Sequence, residues 1–380
     1  MKEMRKLGDF VQPVDVRNND LSVTRLLGLS INKCFIESIA NTIGTDFSKY
    51  KIVKKGQFTY IPDTSRRGDK IGIALLTDYD EGLVSNIYTV FEITDTSKLL
   101  PEYLMLWFSR PEFDCYARYK SHGSVREIFD WDEMCRVELP VPPLNEQQKI
   151  VDTYNAITNR IRIKQKINEN LEKTAQCLFE EMWNSDNSQE IELSKLSELT
   201  SSKRVFFDEY VSEGVPFYRG GEITEKRKGL PISDPLFITE DSYKEKVNKY
   251  GVPKTGDILI TAVGTIGNSY MVTEDDKFYF KDGNLIWFKN FKDNSNFIIY
   301  DFLNSKEFKK KIEQISIGST QTALTISGLS KIKTRIPQED DYEEYIKKSN
   351  TILRFIQNNN AELENMYKLR EIVVSQISKR

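Results

Sequence analysis

An internal period of about 190–200 residues runs through this sequence, so each half of the 380-residue chain looks like a copy of the other. Near the start of the halves, Lys6-Leu7-Gly8-Asp9-Phe10 is echoed by Lys195-Leu196-Ser197-Glu198-Leu199. Further pairs follow in the same order along both halves: Tyr50–Phe58 with Tyr250–Ile258, Pro111–Phe113 with Lys306–Phe308, Gly123–Arg126 with Gly318–Gln321, and Val141-Pro142 with Ile336-Pro337. The duplication predicts two globular units of one fold, related by an approximate two-fold axis.

Each half is predicted to contain a strand-rich globule. Short runs of β-branched and aromatic residues, such as Asp257–Thr261 and Asn284–Phe288, are bounded by Gly, Asp and Asn, as strands between turns are. Apolar residues at helical spacing predict one closing helix in each globule, over Pro101–Tyr119 and Asn296–Ile315. The predicted fold class is therefore α+β, with two mixed, β-rich domains.

Each globule is followed by a long segment, 145–183 or 340–377, that contains neither Pro nor Gly and holds a heptad pattern. Such segments predict two long helices that form an antiparallel coiled coil and separate the globules. At 1.5 Å per residue, the first segment spans about 58 Å. The predicted divisions are 1–142 and 185–337 for the two domains, and 143–184 and 338–380 for the two spacer helices.

The apolar stripes of both helices become polar near their middle. If the helices pack antiparallel, Lys164 and Asn168 approach Asn360 and form a buried polar layer, which fixes the register of a coiled coil at a cost in stability. The alternative is that these side chains tilt toward solvent, and the pattern alone leaves both open.

The charge balance argues mildly against a chain that holds nucleic acid alone. Lys and Arg total 54 against 57 Asp and Glu, a net charge of −3, so the whole chain has no cationic field for nonspecific binding. Basic residues outnumber acidic ones locally, in 49–70 and 305–335. These patches suit a binder whose partner supplies part of the positive charge, and solvated faces explain them equally well.

Other classes are disfavoured by composition. No apolar run approaches the roughly 18 residues of a membrane helix, and no signal-peptide hydrophobic region follows the first residues, so a cytoplasmic protein without membrane contact is expected. The cysteines are widely spaced with no C-x-x-C pair, which indicates neither a disulfide framework nor a zinc site. All four, Cys34, Cys115, Cys135 and Cys177, are expected in the core.

Several motifs resemble the specificity subunit of type I restriction–modification enzymes. Pro140–Val151, which leads into the first long helix, is similar to that family's junction between domain and helix. Val215–Ile223, Gly256–Ile260 followed by Gly264–Gly267, and Gly318–Gln321 fit the same family. The resemblance covers nearly the entire chain, including its duplication. The first copy departs from it, because Leu26–Ile31 stands where the second copy has its Tyr-Arg-Gly segment.

The resemblance implies a DNA-recognition role. Each globule would be a target-recognition domain for one half of a bipartite DNA sequence, and the helices would set the spacing and dock two modification subunits. S-adenosylmethionine for adenine methylation would be bound by those subunits, and ATP and magnesium would serve possible restriction subunits. This chain would hold no cofactor or metal and would not be an enzyme, since it has neither an Asn-Pro-Pro-Tyr-type methylation motif nor a phosphate loop.

Two other readings remain open from the residues. One is a self-sufficient DNA methyltransferase or nuclease with an unrecognised motif. The other is a structural coiled-coil scaffold with no nucleic-acid role.

Arg219 is the leading candidate for base recognition. It follows an aromatic pair and precedes two glycines, which predicts a tight loop from which a guanidinium can bind a guanine edge. The alternative is a surface arginine that pairs with Glu222.

The remaining candidate DNA contacts are basic or hydroxyl-bearing residues of both copies. Lys203, Arg204, Arg227 and Lys228 are predicted phosphate contacts, whose loss weakens binding in a salt-dependent way. Ser319, Thr320 and Gln321 offer hydroxyls and an amide to phosphate or adenine, although a helix N-cap explains them nearly as well. In the first copy the candidates are Arg66, Arg67, Lys70, Ser124 and Arg126.

Overall fold

The computed structural model describes residues 4–38, 44–65, 70–123, 126–316 and 323–378. The chain divides into two compact units. The first contains Met1–Asn159 and Leu369–Arg380, and the second contains Arg160–Lys368. Two long helices, α4 over Leu144–Asn184 and α11 over Glu339–Ser378, contribute residues to both units.

The first unit contains a globule of short strands followed by helices. Its strands are β1 (Met4–Lys6), β2 (Val11–Val14), β3 (Leu27–Leu29), β4 (Phe35–Glu37), β5 (Lys51–Lys54), β6 (Phe58–Tyr60), β7 (Ile73–Leu75), β8 (Glu81–Val84), β9 (Thr89–Ile93) and β10 (Glu138–Pro140). Its helices before α4 are α1 (Pro101–Phe108), α2 (Pro111–Lys120) and α3 (Trp131–Cys135). The four-stranded sheet has the order β2-β9-β6-β7, and β1 pairs with β10, β3 with β4 and β5 with β8.

The four-stranded sheet, the pair β1–β10 and helices α1 to α3 form the frame of the globule. The second unit repeats this frame and adds elements to it. Its strands are β11 (Ser188–Glu192), β12 (Glu198–Thr200), β13 (Tyr210–Val211), β14 (Val215–Tyr218), β15 (Leu236–Ile238), β16 (Ile258–Thr261), β17 (Ser269–Met271), β18 (Tyr279–Phe280), β19 (Leu285–Lys289) and β20 (Lys333–Pro337). Its helices before α11 are α5 (Leu193–Leu196), α6 (Gly220–Arg227), α7 (Glu240–Tyr250), α8 (Asn296–Leu303), α9 (Lys306–Ser316) and α10 (Ile326–Ser330).

The two sheet orders confirm the duplication. The order β12-β19-β16-β17 repeats β2-β9-β6-β7, and the pair β11–β20 repeats β1–β10. Helices α8, α9 and α10 follow at the places of α1, α2 and α3. A second four-stranded sheet, β13-β15-β14-β18, belongs to the second unit, whose frame therefore carries additional structure.

The single closing helix predicted for each globule is wrong, because each is a pair of helices. The break lies at Ser109-Arg110 in the first unit, where Pro111 opens α2 at a position that requires no backbone N–H donor. In the second unit the break lies at Asn304-Ser305, and the Ser305 hydroxyl accepts a hydrogen bond from the Phe308 amide at 3.1 Å. Each globule builds its core against the first helix of the pair, with Leu104 and Phe108 or Phe302 fully buried.

A buried glutamine attaches the start of α4 to the first globule. Gln147 is fully buried, and its side-chain oxygen accepts from the Leu100 amide at 2.9 Å. Its amide group donates to the carbonyls of Lys98 at 2.8 Å and Pro142 at 2.7 Å. Two of these bonds hold the helix to the segment that precedes α1, and the bond to Pro142 holds the turn before α4, which explains a Gln inside the junction motif.

In the second unit, the end of α4 packs antiparallel against the first part of α11. Lys164 donates to Asn359 and Asn168 donates to Asn360, each at 2.8 Å, and Asn359 donates back to Asn168. Asn359 is 8% exposed and the other three side chains are half-buried, so the polar layer lies between the two helices and is partly covered from solvent. The expected partners are confirmed for Asn168, whereas Lys164 bonds Asn359 instead of Asn360.

The cysteine expectation is wrong: Cys34, Cys115 and Cys177 are exposed and Cys135 is half-buried. In the part of the chain that the structure describes, none of the helices combines the length and apolar character needed to span a membrane.

Candidate nucleic-acid interface

A groove of about 410 Å³ in the second globule is lined by Arg219 and by residues of several loops that follow strands. Strands β14 and β18 are parallel neighbours, so the chain leaves both at the same end of their sheet, and Asn284 after β18 lines the groove together with Arg219. Arg219 follows β14, and the Gly264-Thr265 turn follows β16. The fold thus brings two segments of the family-like sequence, Val215–Ile223 and Gly264–Gly267, to one groove.

Arg219 is the N-cap residue of α6 rather than part of a tight loop. Glu222, three residues later, accepts a hydrogen bond from the Arg219 amide at 2.8 Å, as an acidic residue in a first helical turn commonly does. A Cβ at Gly221 would meet no atom within 4 Å, so steric crowding does not require glycine there.

The Arg219 guanidinium is held by two carboxylates. Its Nε donates to Glu222 at 2.8 Å, and its Nη2 donates to Glu222 and, at 2.9 Å, to Asp234. The hydrogen bond to Glu222 raises the pKa of Arg219 further above its ordinary value. Glu222 is buried at 2% exposure, whereas the Asp234 side chain is 76% exposed. The pairing with Glu222 that the sequence left open is therefore present, and Asp234 is the more exposed of the two partners.

A buried network fixes α6 to the strands beneath it. Asp276 accepts from Tyr270 Oη at 2.7 Å and from the Thr273 amide at 2.8 Å, and it pairs with Lys226 at 2.7 Å. Burial acts to lower the pKa of Lys226, but the attraction of Asp276 outweighs it and the pKa is raised. Lys226 therefore stays charged and anchors the helix that Arg219 begins.

The loop that precedes β13 contains Lys203 and Arg204 and is the basic loop of the second globule. Arg204 is exposed, and its Nε is 3.9 Å from Asp282, which follows β18. The Lys203 ammonium lies 5.7 Å from the centre of the Tyr250 ring. Both cations are accessible to a polyanion.

Comparison with known proteins identifies the family. The family described as "Type I restriction modification DNA specificity domain" matches residues 3–173 and 185–371. The chain belongs to this type I DNA specificity family. It carries two such domains, one in each half.

Relatives of the type I specificity family include bacterial and archaeal proteins. A Haemophilus influenzae protein named as a type I restriction enzyme specificity subunit is 28% identical over 225 residues, which cover 57% of this chain and 55% of that protein. The chain therefore spans about half the length of that relative. The MjaVIII specificity subunit of Methanocaldococcus jannaschii is 21% identical over 98% of this chain and 91% of its own.

A solved structure of a type I S subunit has the same fold as this chain. The S subunit of the type I restriction–modification system from M. genitalium superposes with a TM-score of 0.62 at 14% identity. The match covers 100% of this chain and 96% of the other. The predicted α+β class with a duplicated recognition domain is thus confirmed.

The structure does not bring the predicted basic residues together. Arg227 and Lys228 lie at the opposite end of α6 from Arg219, about 12 Å along the helix. Arg227 Nη2 is 3.8 Å from Glu172 on α4, and its carbonyl accepts from Asn360 at 2.9 Å. Exposed Lys228 lines a cavity of about 580 Å³ beside that helix. Their predicted phosphate contacts remain predictions, separate from the Arg219 groove.

Among its described residues, the first unit has no α-helix between β2 and β6, the interval equivalent to the one in which Arg219 begins α6. The segment Leu26–Ile31 contains β3, which forms a two-stranded hairpin with β4. Lys70 and Arg126 are exposed and stay candidate contacts. Arg66, Arg67, Ser124, Ser319, Thr320 and Gln321 lie outside the described residues.

Sequence reasoning missed Asp234 as a second partner of Arg219, since nothing in the pattern connects positions 15 residues apart. It also missed Phe206 and Phe207, whose adjacency to Lys203 and Arg204 was the available signal. No group of three or more His, Cys, Asp or Glu that could hold a metal occurs among the described residues.

Proposed function

We propose that this chain is the DNA-specificity subunit of a type I restriction–modification complex. Each globule reads one half of a bipartite DNA target, while α4 and α11 set the spacing between the readers and dock the modification subunits. The observation that carries this proposal is the family match in both halves, on one shared frame whose inserted segments differ.

The proposed domains are 1–142 and 185–337, joined by spacers 143–184 and 338–380. The helix bounds support these divisions, since α4 begins at Leu144 and α11 begins at Glu339. Each spacer follows the last strand of its globule, β10 or β20.

In the second globule, the groove that begins at Arg219 is the proposed base-reading site. Guanidinium groups bind guanine O6 and N7 in a bidentate manner, and Arg219 becomes available once DNA displaces Asp234. Lys203 and Arg204 are the proposed phosphate contacts, which position the globule without specifying sequence.

The modification subunits are proposed to dock on an exposed apolar stripe of α4. Ile163 and Ile167 are 55% and 42% exposed and lie one turn apart on the same helix face. Farther along that face, Thr174 and Leu178 line an apolar groove of about 560 Å³ together with Ile352 of α11. Large exposed apolar patches of this kind mark protein interaction sites.

The catalytic chemistry is proposed to lie on the partners. Modification subunits would bind S-adenosylmethionine and methylate adenine, and restriction subunits, where present, would use ATP and magnesium. The partners would also supply positive charge, because this chain carries a net charge of −3.

Methylation mapping of host DNA with and without this chain tests the proposal. We expect adenine methylation at one bipartite sequence that disappears when the chain is deleted and returns when it is supplied. Unchanged methylation at every site would contradict the proposal.

A reconstitution separates the proposal from a self-sufficient enzyme. The purified chain with S-adenosylmethionine, magnesium and DNA is expected to give no turnover until modification subunits are added. Methylation or cleavage by the chain alone would identify it as the enzyme. Absence of DNA binding by the assembled complex would favour a scaffold.

A further inference from the structure

Two adjacent phenylalanines project from the basic loop of the second globule. Phe206 is 60% exposed and Phe207 is 89% exposed, which makes Phe207 the most exposed large apolar side chain of the described residues. Placing an aromatic ring in water forfeits the free energy of its burial, about 2–3 kcal/mol for a phenylalanine side chain. An adjacent exposed pair therefore indicates a contact made with a partner.

The loop that carries them is firmly anchored on both sides. Before it, Ser202 donates to the Phe280 carbonyl at 2.6 Å, and the Lys203 amide donates to Tyr279 Oη at 3.0 Å. After it, Glu209 accepts from the Phe206 amide at 2.8 Å and from Lys246 at 3.0 Å. The exposure of the two rings is thus a property of an ordered loop, because its backbone and neighbours are bonded into the globule.

The Phe207 ring is supported from behind by other aromatic rings. It contacts Tyr210 edge to face with ring centres 6.0 Å apart, and Tyr210 contacts Phe217 at 5.3 Å. Phe217 is fully buried in the core of the small sheet. The three rings form a continuous series from solvent to the core. Phe207 is therefore packed against ordered structure, which limits the movement of its ring when a ligand contacts it.

The charges beside the rings favour a nucleic-acid partner. Arg204 and Lys203, both exposed, precede the pair by two and three residues. The Arg204 Nε lies 3.9 Å from the carboxylate of Asp282, which follows β18, and the neighbouring parallel strand β14 leads to Arg219. Cations that contact phosphate next to an exposed aromatic ring are the combination found in proteins that stack on or wedge between bases.

We infer that Phe207, flanked by Phe206, is an apolar wedge that inserts against the base stack of the half-site read by the second globule. This inference rests on the proposed function and adds a specificity-determining contact to it. Insertion opens one base step, so the contact depends on how easily that step unstacks, and pyrimidine–purine steps open most readily. Lys203 and Arg204 hold the adjacent phosphates while the ring is inserted.

The test uses the full chain assembled with its modification subunits and a duplex that carries the mapped target. 2-Aminopurine, whose fluorescence rises on unstacking, replaces single bases of the second half-site other than the methylated adenine. We expect the wild-type complex to raise the fluorescence at one step. Phe207→Ala is expected to remove that rise and to weaken target binding by about tenfold.

Three variants sharpen the readout. Phe207→Leu keeps an apolar wedge and is expected to retain part of the fluorescence rise. Arg204→Ala is expected to keep the rise and to lower the slope of log affinity against log salt by about one unit, since one phosphate contact is lost. Tyr119→Ala removes an aromatic ring that is 81% exposed on α2 of the first globule, and it is the control with no expected effect on the rise in the second half-site.

The outcomes separate this inference from the proposed function. If the wild-type complex binds the target and Phe207→Ala equals it in affinity and fluorescence, the wedge is excluded and the proposed function stands. If Phe207→Ala fails to assemble with modification subunits, the two rings form a protein contact and the inference is wrong. If the wild-type complex shows no sequence-specific binding, the proposed function fails and the wedge fails with it.

Discussion

The two globules share a frame and differ in the segment inserted into it. This segment lies between β2 and β6 in the first globule and between β12 and β16 in the second. In the first globule, residues 15–57 hold the β3–β4 hairpin and β5, whereas in the second, residues 201–257 hold β13 to β15, α6 and α7. Both frames are built on fully buried side chains, which tolerate little change in volume. The difference teaches that duplication preserved the core and that the inserted segments diverged, as the proposed reading of two unlike DNA half-sites would require.

The junctions with the long helices differ in a similar way. The sixth residue of α1 is Leu106 and that of α8 is Asp301, and both are buried. Asp301 accepts hydrogen bonds from Tyr345 at 2.7 Å and Ser349 at 2.6 Å, both on α11. Burial raises the pKa of Asp301 to about 6 and raises that of Tyr345 well above its usual range. The second junction is therefore ionisable where the first is apolar.

The largest effects are expected from breaking one frame at a time. Phe91 and Phe288 are fully buried on β9 and β19, the second strands of their sheets. Substitution of either by Ala is expected to cost about 3–5 kcal/mol in the free energy of unfolding, because it removes a ring and leaves a cavity. Hydrogen exchange of the full chain should show lost protection in the first globule for Phe91→Ala and in the second for Phe288→Ala. Equal loss in both globules from either variant would show that the frames are not independent.

The next effect concerns the ionisable junction. Asp301→Asn keeps an oxygen that accepts both hydroxyl bonds but removes the ionisation. The native pKa lies above the unfolded value, so the unfolded chain binds fewer protons between pH 4 and 7 and the wild type loses stability as pH rises. Relative to Asp301→Asn, we expect a loss of about 2–3 kcal/mol over this range, measured by denaturant unfolding of the second globule.

Leu106→Met is the matched control in the first junction and is expected to leave the pH dependence unchanged. The same pH dependence in wild type and Asp301→Asn would mean that Asp301 does not titrate in this range.

A smaller effect is expected at Arg219, which begins a helix that the described part of the first globule does not repeat. Arg219→Ala should cost about 1–3 kcal/mol on the target and little on random DNA, since a bidentate guanine contact is lost. Competition binding of the assembled complex with targets altered in one half-site measures it. Arg227→Ala, at the other end of α6, is the control, because loss of its predicted phosphate contact should weaken target and random DNA equally. Equal losses on target and random DNA would make Arg219 a phosphate contact.

The smallest effect is expected from the displaceable partner of Arg219. Asp234→Asn weakens an exposed ion pair worth about 0.2–1 kcal/mol, so target binding should become tighter by a factor of up to about five. A titration of target DNA against the assembled complex detects this gain. Weaker binding would indicate that Asp234 holds Arg219 in its reading position.

Much of the architecture was accessible from the sequence. The predicted ends of the long helices lie within one or two residues of the ends of α4 and α11. A heptad pattern that continues for some five repeats without Pro or Gly favours a long helix over other structures. The duplication was also evident, since matched motifs recur in order. The single closing helices were wrong, because apolar spacing continues across the Ser109-Arg110 and Asn304-Ser305 breaks.

The candidate site was less accessible. The motif around Arg219 was identified, but its place at the start of α6 and its bond to Asp234 depend on contacts between distant segments. The predicted phosphate contacts Arg227 and Lys228 proved to lie beside the long helices, because α6 turns its two ends to different neighbours.

The sequence by itself determined the repeated plan, the two long helices and the family, because periodicity and local motifs are properties of neighbouring residues. Only the tertiary structure decided that Gln147 and Asp301 fix the helices to their globules and that Glu222 and Asp234 hold Arg219. It alone showed that Phe207 stands exposed on a supporting series of rings. These features depend on burial and on distances between residues far apart in the chain, which local patterns do not encode.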